Sequence, residues 1–324
     1  MDPQTPALPR GSRDAAWIVL TMIAMVMVPT TLTLLRVRAP RPGVDPSTNP
    51  TPLGYTWSLL LYVVPVLVLA FWFFRNPSPT FQKKAFWITI AILVPLGFVL
   101  DLVFGRMFFT FPNPGATLGI EVPARGGGIP LEEFVFYTTG FLFVLLLYVW
   151  CDEHWVGAYN VPDYPGESAK VGRLLRFDVR ALAVGSALVV AAVAYKKVLA
   201  EDPEGFPLYF VYLVAAAAIP SVGFYRSVER FVNWRAFSVT FFFMLLVSLT
   251  WEATLGVPYG WWGYNERMMM GLFIDAWTDL PFEAVFVWLA VTYTAVIVYE
   301  VVKVYRASGK TARDAFLGRA TEGR

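Results

Sequence analysis

The sequence predicts an all-helical, polytopic integral membrane bundle of about eight spanning helices, arranged as an internal duplication with parallel repeats. Three observations predict it. Of 324 residues, 57% are apolar and only 15% are charged, a balance too apolar for one soluble core. Eight stretches approach or exceed the roughly 20 residues that a spanning helix needs. Pro281 lies 151 residues after Pro130, and the same offset pairs Phe73 with Phe224, Arg75 with Arg226, Ala85 with Ala236, Phe86 with Phe237, Thr89 with Thr240 and Gly105 with Gly256. A constant register without gaps is the mark of a repeat.

Taken in order, the first apolar stretch, Ala15 to Leu35, is long and has no A-x-A-like cleavage site after it, so it reads as a span and not as a signal peptide. Tyr55 to Phe74, Ala85 to Phe104 and Pro130 to Trp150 follow as the second, third and fourth. Ala181 to Ala200 and Pro207 to Tyr225 are weaker, because Ala-rich runs such as Val214 to Ile219 carry less transfer energy than Leu or Phe. Ala236 to Leu255 and Pro281 to Val304 complete the set. Polar loops rich in Pro, Gly and charge, at Ala39 to Gly54 and Asp152 to Val179, are the linkers. The chain thus divides into an N-terminal helix and loop (1–54), a first repeat (55–151), a linker with its connecting helix (152–206), a second repeat (207–304) and a tail (305–324).

Most Lys and Arg residues fall on the side of the two termini, among them Lys83, Lys84, Arg173, Arg176, Arg230, Arg235 and those from Lys303 onward. The positive-inside rule therefore expects both termini in the cytoplasm. A net charge of +2 spread over short loops does not suggest nucleic acid. One cysteine, Cys151, excludes an intramolecular disulfide. Four spans per half is an even number, so the halves share one orientation and their acidic motifs are expected to face each other at one depth.

Each half carries an acid near a helix end (Asp101; Glu252), then an aromatic loop, then an acid in the first turn of the next helix. The loops read Phe108, Phe109, Phe111 and Tyr259, Trp261, Trp262, Tyr264. Pro followed by Glu is also an ordinary helix start, since the ring fixes φ and the carboxylate complements exposed N–H groups. Carboxylates at membrane depth are costly, however, and mark function or pairing. Glu132, Glu133 and Glu283 are thus candidate catalytic acids, with Asp101 and Glu252 beside them. Aromatic residues gather in interfacial belts, yet rings beside carboxylates are also what a carbocation requires. The Cys151-Asp152-Glu153-His154 run has metal-ligand residue types without a completing set and reads as a solvated helix end. Asp275 and Asp279, at i and i+4, offer a weak Mg²⁺ face, and no G-x-G-x-x-G follows a strand, so no dinucleotide site is visible.

The doubled motif, Pro130-Leu131-Glu132-Glu133-Phe134 and Pro281-Phe282-Glu283-Ala284-Val285, together with Trp251-Glu252 and Trp261-Trp262-Gly263-Tyr264, resembles the bacterial, archaeal and fungal membrane lycopene cyclases. These occur as two small subunits or one fused chain, and the resemblance, spanning about Tyr55 to Val304, is to the fused form. It implies an isomerase that converts the ψ ends of lycopene to rings, giving γ- and then β-carotene, without a redox cofactor; no metal site is expected from the residues. It carries Glu132, Glu133 and Glu283 over as essential acids. Ala284 departs from the family pattern, which often has a second acid there. Relatives of the same architecture act on C50 carotenoids, so substrate length is not fixed. The implied partners are a linear carotenoid, the bilayer and other enzymes of carotenoid synthesis.

Cyclisation needs a proton delivered to C2 of the terminal double bond, closure through a tertiary cation, and loss of a different proton. An alkene is a very weak base, so the donor must be held protonated in a low-dielectric pocket. Glu132 or Glu283 is expected to donate, and Glu133, Asp101 or Glu252 to accept. Phe108, Phe109, Phe111, Phe134, Trp261, Trp262 and Tyr264 are expected to line the polyene. A hydratase or prenyltransferase would use similar acids and give a heavier product, while a carotenoid-binding or transport protein would leave the polyene unchanged.

Overall fold

The computed structural model describes residues 51–76, 78, 80–275 and 279–318. Its helices are α1 (Gly54–Arg75), α2 (Lys83–Phe108), α3 (Leu131–Trp155), a short α4 (Tyr164–Ala169), α5 (Val179–Val198), α6 (Leu208–Val228), α7 (Trp234–Gly256), α8 (Glu283–Ala307) and a short α9 (Ala312–Leu317). Among the described residues seven of these are long and apolar enough to cross a membrane, and they fall where the sequence places its second to eighth spans. The first expected span, Ala15 to Leu35, lies outside the described residues.

Helix starts follow from local chemistry. Asp178 accepts the Arg180 N–H at 2.8 Å to begin α5, and the Asn233 side chain accepts the Ala236 N–H at 3.2 Å to begin α7, satisfying donors that a first turn leaves free. Helix α8 runs through the middle of the bundle and packs against α2, α3, α6 and α7, whereas α5 packs chiefly on α6. The share of the most apolar window that is buried makes the same distinction, at 61% in α8 against 11% in α5. Leu67, Val68 and Phe71 of α1, Trp87 and Val99 of α2, and Val184 and Val190 of α5 are exposed, an apolar coat far larger than a soluble monomer keeps.

Among the described residues six short strands form three two-stranded ribbons: β1 (Phe109–Thr110), β2 (Glu121–Ala124), β3 (Gly127–Pro130), β4 (Gly263–Tyr264), β5 (Phe273–Asp275) and β6 (Asp279–Pro281). Two are hairpins that end on the prolines of the acidic motifs, with Glu121 opposite Pro130 and Phe273 opposite Pro281. Each proline closes a strand, since it has no N–H to extend the ladder, and the next helix starts within two residues. The third ribbon joins distant parts of the chain, with Phe109 opposite Tyr264.

Two sequence expectations are corrected. Asp275 and Asp279 stand opposite each other across a hairpin and not on one helical face. The run after Trp150 is no solvated helix end, because α3 continues as a π-helical turn that buries Cys151 and Asp152. Asp152 there joins Lys303 at 3.5 Å, and Lys303 meets Glu300 at 3.1 Å. Tyr148 and Tyr164 donate to the two Glu300 oxygens at 3.0 and 2.7 Å, and Asn233 and Asn160 donate to Asp152, each at 2.9 Å. This buried network ties α3, α4, α8 and the start of α7 at the end opposite the hairpins.

Candidate active site

Glu132 and Glu133 are consecutive in the first turn of α3, so at 3.6 residues per turn they point about 100° apart. Glu132, 1% exposed, accepts the Thr56 hydroxyl at 2.6 Å and the Leu118 N–H at 2.7 Å. It opens onto a lateral apolar pocket of about 200 Å³ formed with Leu59, Leu60, Val63, Leu118 and Val135. Glu133 turns to the bundle interior and accepts the Tyr55 hydroxyl at 2.5 Å. Adjacent residues of α1 thus hold adjacent acids of α3. Asp101, Glu132 and Glu252 are all near enough to act on the charge of Glu133.

Glu252 sits where α7 passes from α to π geometry, a local widening that recurs at functional sites. Ser248, one turn earlier, donates to one of its oxygens at 2.7 Å, and the Tyr264 hydroxyl donates to the other. Burial first, and the Glu252 carboxylate second, hold the Tyr264 phenol well above its ordinary pKa, so it remains a donor. Gly256 ends the π turn because a Cβ there would overlap the Trp262 ring.

Glu133 and Glu252 line one cavity, and among the described residues no Lys or Arg lines it. Its walls are Tyr55, Phe109, Phe136, Tyr137, Gly140, Phe141, Tyr209, Trp251, Trp262, Tyr264, Val287, Trp288 and Val291. The rings are tightly assembled, with centroids 4.3 Å apart for Trp251 and Trp262, 5.1 Å for Tyr55 and Trp262, and 5.0 Å for Phe136 and Trp251. Tyr62 stacks behind Trp288 at 5.8 Å. The open volume is about 70 Å³, room for a few waters. The α3 wall is one helical face counted from Glu133 at i+3, i+4, i+7 and i+8. Shifted by 151 residues, Phe136, Tyr137 and Gly140 become Val287, Trp288 and Val291 of α8, and Glu133 becomes Ala284.

Of the other predicted acids, Asp101 is 5% exposed and receives the Tyr137 hydroxyl at 3.5 Å, behind the cavity wall. Glu283 is fully buried and accepts the Met270 N–H at 2.6 Å, with the buried Lys196 near enough to act on its charge. Lys196, from α5, donates to the Glu266 carbonyl at 3.3 Å. Glu132 and Glu283 therefore do not face each other across one cavity; each clasps the loop or strand before its own helix. Phe109, Trp262 and Tyr264 line the cavity as the sequence led one to expect, but four others do not. Phe108 packs on Tyr209 behind it, Phe111 lies under Arg106, Phe134 meets Phe98, and the Trp261 indole donates to Thr51 at 2.8 Å. Tyr55, Phe136, Tyr137, Phe141, Tyr209 and Trp288 were missed, although the helical spacing from Glu133 marks three of them.

Among the described residues no group of three or more His, Cys, Asp or Glu is placed to hold a metal ion. Compared with protein-family models, curated proteins and solved structures, the chain matches none.

Proposed function

We propose that this chain is a membrane-embedded carotenoid cyclase that converts the ψ ends of lycopene to β rings, with γ-carotene as the intermediate. The observation that carries this reading is a cavity in which two carboxyl groups meet a wall of aromatic rings, with no Lys or Arg among the described residues that line it. Glu252 receives two hydrogen-bond donors, which suits a carboxylate, while Glu133 receives one and has three other carboxyls near it. Glu133 is accordingly the proton donor and Glu252 the acceptor. Glu133 protonates C2 of the terminal double bond, the neighbouring double bond closes the ring on the resulting tertiary cation, and Glu252 removes a proton from the carbon beside the new cation. Atoms and charge balance, so the product is an isomer of the substrate. Trp251, Trp262 and Trp288 present π faces to the cation and exclude the water that would trap it as an alcohol. Glu132 and Glu283 act as positioning groups, holding the segments that precede α3 and α8.

The same proposal includes membrane insertion with both termini cytoplasmic and two parallel repeats, 55–151 and 207–304. Helix α2 starts at Lys83 and α7 at Trp234, an offset of 151 residues, and Pro130 and Pro281 each end a hairpin. Glu132 accepts an N–H from Leu118 and Glu283 one from Met270, 14 and 13 residues upstream. These correspondences support a duplication. Expression in a lycopene-accumulating host, with analysis of the pigment, tests the function: ring-bearing carotenoid is expected, and unchanged lycopene from abundant, membrane-inserted protein would overturn it.

A further inference from the structure

Resting on the cyclase reading above, we infer that the chain has one ring-forming site and not two, so that a polyene with two reactive ends leaves after its first ring and returns reversed. A duplicated chain with an acid motif in each half invites the opposite expectation, one site per end. The geometry of the cavity argues against it. Its α3 wall and its α8 wall are the same helical face in the 151-residue register, Phe136, Tyr137 and Gly140 answering to Val287, Trp288 and Val291. A space walled by equivalent faces of α3 and α8 belongs to neither half alone, so a duplication does not by itself supply a second one.

Chemistry within that space is one-sided. Glu133 comes from the first half and its counterpart is Ala284, which has no proton to give. Glu252 comes from the second half, and its counterpart Asp101 is held by Tyr137 outside the cavity lining. Glu283 is occupied by the Met270 N–H and lies near Lys196, also outside it. Glu132 opens onto a separate pocket that holds no second acid among the described residues, so one donor and one acceptor, both in the shared cavity, serve every ring. After one closure Glu133 is a carboxylate and Glu252 carries the abstracted proton, so the pair resets by proton exchange before a second end reacts.

Wild-type protein in liposomes with lycopene in molar excess, sampled from the first turnover, tests this. Monocyclic product is expected to accumulate free in the bilayer, with bicyclic product rising only as the linear substrate is depleted. Carbon-13-labelled monocyclic carotenoid added at the start is expected to enter the bicyclic pool. Bicyclic product in the first turnover, with the labelled monocycle excluded, would overturn the single site while leaving the cyclase reading intact. Glu133→Gln gives a second readout at matched membrane abundance: one site predicts loss of both rings together, and a variant that still makes the monocyclic product would contradict it. No ring from wild-type protein would overturn the cyclase reading itself, a result distinct from the other two.

Discussion

At Glu133 and Glu252 a change to Gln keeps the shape and removes the exchangeable carboxyl. Each substitution is expected to lower ring formation by about 10²- to 10⁴-fold, the usual contribution of a positioned acid or base, measured as pigment converted at equal membrane abundance. Glu132→Gln and Glu283→Gln are expected to be milder on chemistry and unequal to each other. An amide oxygen can still accept the Leu118 and Met270 N–H groups, but Glu283→Gln also removes a carboxyl close enough for buried Lys196 to act on, and is expected to be the more destabilising of the two. Equal thermal stability of the two variants would contradict that asymmetry. The sequence made the acids legible, because a carboxylate in an apolar run stands out. It led to Glu132 or Glu283 as donor and Glu133 among the acceptors, whereas the proposal makes Glu133 the donor, since which of two neighbours turns inward depends on Tyr55 and Thr56, brought in from another helix. Lys196 stayed hidden for a similar reason: it ends a span that carries no motif and comes near Glu283 only in the folded bundle.

Spans are the most readable elements, because hydrocarbon demands a run of apolar residues whose length the bilayer fixes. The seven described helices accordingly fall where hydropathy puts them. Loop ribbons and the π turns at Cys151 and Glu252 were not legible, as neither has a periodic signature. The Asp152–Glu300–Lys303 network was missed because Lys303 counts as a flanking charge in a topology reading, yet it is 4% exposed and paired with both acids. Lys303→Met leaves two buried carboxylates unpaired and is expected to destabilise the fold by about 3–5 kcal/mol, read as a lower melting temperature in detergent. Because the network lies at the far end of α3 and α8 from Glu133, the fraction that stays folded is expected to keep its ring-forming rate. An unchanged melting temperature would show that the network does not hold the bundle.

For the molecule as a whole, the charge distribution and the helix order together predict that reporters fused after Trp150 and Arg324 report cytoplasm and one after Gly115 reports the other side. A cytoplasmic signal at Gly115 would reverse the orientation and move the cavity to the opposite face. The all-helical class was legible from composition and the apolar stretches together, but the placement of one cavity between α3 and α8 required the folded register, because no local pattern states which helix faces meet. If a carboxyl in exchange with solvent starts ring closure, the fate of solvent hydrogen shows it most directly. Purified protein given lycopene in heavy water, with no flavin or nicotinamide added, is expected to place one deuterium in each new ring, and in ordinary water to give a product of the substrate's own mass. Rings that carry no solvent deuterium, or a product heavier by one water, would contradict the mechanism.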